Sequence, residues 1–173
     1  LNLVQVDQLP THGGSNRYWL SNSTKIDNSV KEILKLEKKN GLFDPNKWLN
    51  FASNSKKAID DLRNWFIEKK KSGNIVVGYG AAHKGNTFLN SVGEASKVLR
   101  YVVDASTEKQ GKFLPGSQVP VLRPDQLSSL NPTDVLILPW NIAQELAFQI
   151  KKITPDARIW VAQPTLRELK NKV

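Results

Sequence analysis

The residues best suited to chemistry form one run, Gly78-Tyr79-Gly80-Ala81-Ala82-His83-Lys84-Gly85-Asn86-Thr87. It leaves a hydrophobic stretch and enters an amphipathic one. Glycines there let backbone approach a ligand closely, and a helix N-terminus offers unpaired N–H groups and positive potential. Phosphate is the natural guest. The spacing, Gly-x-Gly-x4-Gly, is not the dinucleotide Gly-x-Gly-x-x-Gly, and Asn86 stands where a P-loop requires Lys. Asp104 lies 24 residues past Gly80, near where an acid would hold a ribose hydroxyl. The competing reading is a tight strand–helix turn whose glycines serve the fold alone.

Three further runs carry weaker signals. Asp104–Gly116 is a polar loop from which Lys109 and Lys112 could reach phosphates, or a solvated loop with a Pro115-Gly116 turn. In Leu138-Pro139-Trp140-Asn141, Trp140 either walls a pocket or joins the core, and Asn141 reads as a helix cap. In Thr11-His12-Gly13-Gly14-Ser15, His12 is the candidate acid–base residue, against the commoner role of a hydrogen-bonded turn histidine.

These residues need elements to position them. Residues 3–6 and 16–20 read as strands joined by a turn-rich connection. Residues 28–39 read as a helix stopped by Gly41. A longer helix is expected from Asp44-Pro45 to about Lys71, with Gly73 as its stop and Trp48, Leu49, Ala52, Ile59, Leu62 and Phe66 on one face. Its Trp and Phe positions read as core, and Lys69-Lys70-Lys71 as a solvated helix end.

From residue 74 the texture changes. Short apolar strands at 74–78, 98–104, 119–122, 134–138 and 157–162 alternate with helices through about Val92, over 124–130 and over 141–153. Such alternation implies a mostly parallel sheet with right-handed crossovers. The expected fold is α/β: a Rossmann-like sheet with flanking helices, preceded by a strand pair and two helices. The expected divisions are 1–24, 25–73 and 74–173.

Composition narrows the function. The chain has 173 residues, a net charge of +9, no Cys and two His. The missing Cys excludes disulfide scaffolds, thiolate–metal sites and a cysteine nucleophile; two His exclude a poly-histidine metal site. The expectation is that no metal is bound. The basic excess favours phosphate-bearing partners but is spread along the chain, and no nucleic-acid motif appears. No apolar run is long enough to span a bilayer and no signal peptide opens the chain, so a cytoplasmic protein is expected. The missing initiator Met reads as the mark of a piece of a longer chain.

Five blocks in order resemble the C-terminal region of SAM-dependent sugar C-methyltransferases. They are Leu9-Pro10-Thr11-His12-Gly13-Gly14-Ser15, Gly78–Thr87, Tyr101-Val102-Val103-Asp104, Lys109-Gln110-Gly111-Lys112-Phe113-Leu114-Pro115-Gly116 and Leu136-Ile137-Leu138-Pro139-Trp140-Asn141. Those enzymes methylate a carbon of a nucleotide-activated deoxysugar. The resemblance implies a zinc-binding domain, a SAM-binding domain and a Rossmann-like C-terminal domain, with the sugar nucleotide between the last two. It also implies deprotonation beside a keto group and carbanion attack on the SAM methyl.

On that resemblance residues 1–24 are the final strands of a missing methyltransferase sheet, and the partners are the missing domains and a nucleotide-diphosphate sugar. SAM then belongs to the parent enzyme and not to this chain, which alone is inactive. The family's catalytic Tyr/Glu/His cluster lies in the middle domain and has no counterpart here. His83 stands where the family commonly has a small residue or Pro. The expected anchor is Gly78, Tyr79, Gly80, Ala81, Lys84, Gly85, Asn86 and Thr87, with Asp104, Lys109, Lys112 and Trp140. The alternatives are an NAD-type oxidoreductase domain, disfavoured by the glycine spacing, and a stand-alone nucleotide-binding module.

Overall fold

The computed structural model describes residues 1–170 and, of His12, the backbone alone. The acid–base role considered for His12 therefore lies outside the described residues. Two compact units divide the chain, Leu1–Asn54 and Ser55–Val173.

In the first unit, β1 (Asn2–Leu9) and β2 (Ser15–Ser21) pair antiparallel across a single 3-10 turn. The helix α1 (Asn28–Lys39) begins at Asp27, whose carboxylate accepts the Ser29 N–H at 2.8 Å. Ser29 Oγ in turn accepts the Val6 N–H at 3.1 Å, and Val30 and Ile33 pack on Val6. A second helix, α2 (Pro45–Lys71), starts as expected: Asp44 accepts the Asn46 N–H at 2.9 Å, with Pro45 in the first helical position.

The second unit holds a six-stranded sheet with helices on both faces. In chain order its elements are β3 (Val76–Tyr79), α3 (His83–Val92), β4 (Leu99–Val103), β5 (Val121–Leu122), β6 (Asp134–Ile137), α4 (Ala143–Ile153), β7 (Arg158–Val161) and β8 (Arg167–Glu168). The spatial order is β5-β4-β3-β6-β7-β8, parallel throughout except for β8. The chain runs outward from β3 to β5, then returns to lay β6 against the other side of β3. Such a reversal opens a crevice at the carboxyl ends of the two central strands.

Successive strand residues feed opposite faces of the sheet. Val76 and Leu136 join Leu62, Phe66 and Leu89 on one side; Val77 and Val135 join Ala147 and Ile150 on the other. Buried on both faces, these strands read as the continuous apolar runs typical of parallel sheets.

One buried carboxylate ties the amino ends of these strands together. Asp134 is fully buried, and five groups meet its two oxygens: Lys69 Nζ at 3.0 Å, Trp160 Nε1 at 2.8 Å, Arg158 Nη2 at 2.9 Å, Asn74 Nδ2 at 3.0 Å and Thr133 Oγ1 at 2.9 Å. Burial alone pushes its carboxyl up. The bonds from Lys69, Thr133 and Arg158, with the Lys69 charge, outweigh burial and hold it below its ordinary value. Lys69 also lies over the Trp160 ring, 4.7 Å from its centroid.

The structure corrects several expectations. Lys69 is 5% exposed, so the lysine run is not uniformly solvated. Along α2 the apolar positions part company: Leu62, Trp65 and Phe66 are core, whereas Trp48, Leu49 and Phe51 are exposed. The helix expected over 124–130 is only a 3-10 turn, Pro124–Gln126. Asn141 caps nothing: it sits inside a 3-10 turn, Trp140–Ile142, and α4 has no side-chain cap.

Candidate functional site

The turn between β3 and α3 is held by its own chain. The Gly80 N–H donates to Val103 O at 2.7 Å, and the Ala81 N–H to Asp104 Oδ2 at 2.5 Å. Asp104 Oδ1 accepts the Ser106 N–H at 2.7 Å, and Lys109 Nζ donates to Ala81 O at 2.9 Å. Asp104 is 9% exposed, and both its oxygens are spent on this clasp. The acid placed by sequence spacing for a ribose hydroxyl orders the turn.

Two glycines of the run answer to packing. Gly80 has φ +84, and a Cβ there would lie 2.6 Å from Pro139 Cδ. A Cβ on Gly85 would lie 2.6 Å from Leu138 Cβ. The turn can press against the end of β6 only because both residues lack side chains.

The amides left over are those of the first turn of α3. With Ala82 as the N-cap and no side-chain cap, the N–H groups of His83, Lys84 and Gly85 have no acceptor among the described residues. Beside them lies a cleft of about 280 Å³. Its helix wall is Ala81, Ala82, His83, Asn86 and Thr87; its loop wall runs from Glu108 to Pro115 and includes Lys109, Lys112 and Phe113. The loop is folded back on itself by Gly111 N–H to Val121 O at 2.9 Å and Leu114 N–H to Val119 O at 2.9 Å.

Two features of the cleft stand out. Phe113 is 64% exposed, an aromatic ring kept in solvent beside Lys112. Asn86 Oδ1 is buried with no hydrogen-bond partner among the described residues. A buried acceptor without a donor is costly, and a bound donor group would relieve it.

Of the residues singled out from sequence, Ala81, Asn86, Thr87, Lys109 and Lys112 meet at this cleft. Gly78 and Tyr79 are buried in β3, where a Gly78 Cβ would strike Val102 Cγ2 at 2.7 Å. Burial, and secondarily the Asp104 charge, raises the Tyr79 phenol above its ordinary value, so it stays neutral. Lys84 and Trp140 form a pair of their own: Lys84 Nζ lies 4.9 Å from the indole centroid, and Phe88 meets the same ring edge-on.

Phe113, His83 and Glu108 line the cleft without having been chosen from sequence. The signal for Phe113 was an aromatic residue inside an otherwise polar loop. His83 follows from its place in the first turn of α3. Among the described residues, no group of three or more His, Cys, Asp or Glu could hold a metal ion. No described helix is long and apolar enough to cross a membrane.

Sheet order, with helices on both faces and the chain reversing beside β3, defines a doubly wound α/β domain. The family model described as C-methyltransferase C-terminal domain matches residues 10–163, and the chain belongs to that family. It is also similar to the C-methyltransferase NovU of Streptomyces niveus, with 28% identity over 96% of this chain. The chain spans 43% of that relative's length.

Proposed function

We propose that this chain is the part of a SAM-dependent C-methyltransferase that anchors the nucleotide end of its substrate, a nucleotide-diphosphate deoxy-keto sugar. The cleft carries this reading. It sets an exposed aromatic ring and Lys112 beside a helix end with three unpaired amides.

The diphosphate takes the helix end, where the N–H groups of His83, Lys84 and Gly85 and the helix dipole favour negative charge. Lys84 and Lys112 add to that potential, while Lys109 is already balanced by Asp104. The nucleobase stacks on Phe113, and a base or sugar N–H or O–H donates to Asn86 Oδ1. A cleft of about 280 Å³ falls just under the range of small-molecule sites, about 300 to 1,000 Å³. It suits one end of a nucleotide sugar and leaves the sugar outside, free to be acted on elsewhere.

The chemical step belongs to other parts of the enzyme on this reading. The methyl donor, S-adenosylmethionine, is bound there and not by this chain. The strand pair 1–24 then belongs to that neighbouring methyltransferase sheet, which is consistent with the exposure of Tyr18, Trp19 and Leu20. This chain contributes position. Anchoring a remote diphosphate holds the reacting carbon in line without taking part in bond making.

The test is an amide-shift titration with dTDP, with NAD as comparator. Saturable shifts confined to Ala81–Thr87 and Glu108–Pro115 with dTDP are expected. Shifts with NAD alone, or none with dTDP, would overturn the assignment.

A further inference from the structure

A second depression, of about 750 Å³, lies between the last turns of α2 and the segment from Val92 to Arg100. It sits at the amino end of the sheet: Gly73 and Asn74 lead into β3, and Arg100 is at the start of β4. The cleft at α3 lies at the carboxyl end, so both can be occupied at once.

The depression has an apolar floor and a basic rim. Ile67, Val92, Ala95 and Val98 supply the floor. Arg63, Lys70, Lys71, Lys97 and Arg100 stand against one acid, Glu94. Two of the cations are already engaged. Arg63 pairs with Asp60 and donates to Val92 O at 3.2 Å, and Lys97 pairs with Glu94 at 2.7 Å. Lys70, Lys71 and Arg100 have no acidic partner among the described residues.

The character of the groove selects its occupant. No lining residue is aromatic, so a nucleobase would find no ring to stack on. A lone phosphate would leave the apolar floor uncovered. The lining on α2 runs from Arg63 to Lys71, about 12 Å at the helical rise. That length matches about two turns of a helix or a short extended segment. A polypeptide with aliphatic side chains flanked by carboxylates satisfies floor and rim together.

We propose that this groove docks an acidic amphipathic segment of a partner protein. The test measures fluorescence anisotropy of a short fluorescein-labelled peptide of Leu residues flanked by Glu. The comparators are its Leu→Ser counterpart and a labelled single-stranded DNA. Saturable binding of the Leu/Glu peptide is expected, weakened about tenfold by Lys70→Glu with Arg100→Glu and about fivefold by Ile67→Ser. All three positions are exposed, and dTDP binding at the other end of the sheet should be unchanged in both variants. No binding, equal binding of the Leu→Ser peptide, or tighter binding of the DNA would overturn the proposal. The last outcome would make the groove a general polyanion surface.

Discussion

The Asp104 carboxylate accepts the Ala81 N–H at 2.5 Å, joining the end of β4 to the turn that leaves β3. Lys109 closes the same clasp on Ala81 O. The turn is thus held in place by its own chain.

Removing that acceptor should loosen the turn. Asp104→Ala leaves the Ala81 and Ser106 amides without their partner and is expected to cost about 1–3 kcal/mol of stability. Urea denaturation reads the loss. The same variant should weaken dTDP binding, because the open amides are no longer pre-positioned. Full stability would show the clasp to be dispensable.

Lys112 and Phe113 should behave in the opposite way. Both are exposed, so Lys112→Ala and Phe113→Ala are expected to leave unfolding within about 0.5 kcal/mol of the parent chain. If the base stacks on Phe113 as proposed, losing the ring costs about 1–3 kcal/mol, roughly a fivefold to 150-fold drop in affinity. Calorimetric titration with dTDP would detect it. Unchanged affinity in Phe113→Ala would remove the ring from the site.

Gly85→Ala should be destabilising through one contact. The new methyl meets Leu138 Cβ at 2.6 Å, and overpacking of this kind costs about 1–3 kcal/mol. Leu138→Gly, which removes that Cβ, should make the Gly85→Ala loss smaller when the two are combined. A double-mutant cycle measures that coupling, and simple additivity would mean the clash lies elsewhere.

Acid should undo the Asp134 cluster. Its carboxyl lies below the ordinary 3.8 in the folded chain, so the unfolded chain takes up the proton first as pH falls. The stabilisation is complete above that ordinary value and is lost as pH drops through the lower, folded one. The melting temperature should therefore fall as pH drops below about 4. Asp134→Asn should flatten that part of the profile and cost about 3–5 kcal/mol at neutral pH by leaving Lys69 buried without its counter-charge.

Much of the architecture was legible in the chain. Glycine stops at Gly41 and Gly73, the Asp44-Pro45 helix start and the apolar runs locate the helices and central strands closely. β8 was not legible. Arg167 and Glu168 show no apolar alternation, and only pairing with Trp160 and Val161 makes them a strand. The site was half legible. The turn and the loop after β4 do meet, but the role of Asp104 depends on where the Ala81 amide points, which spacing cannot state. Lys69 carried a signal that its lysine neighbours obscured. It follows Leu62, Trp65 and Phe66 at helical intervals, on the buried stripe of α2.

The Asp134 cluster also bears on how the second unit assembles. Its donors come from α2, from Asn74 two residues before β3, from the residue before β6 and from β7. A partly collapsed chain lacking any of these segments would hold a carboxylate out of water with too few partners, so such intermediates are penalised. Sheet closure and helix docking then become a single event. Amide hydrogens at the amino ends of β3, β6 and β7 should exchange with solvent only when the whole unit opens.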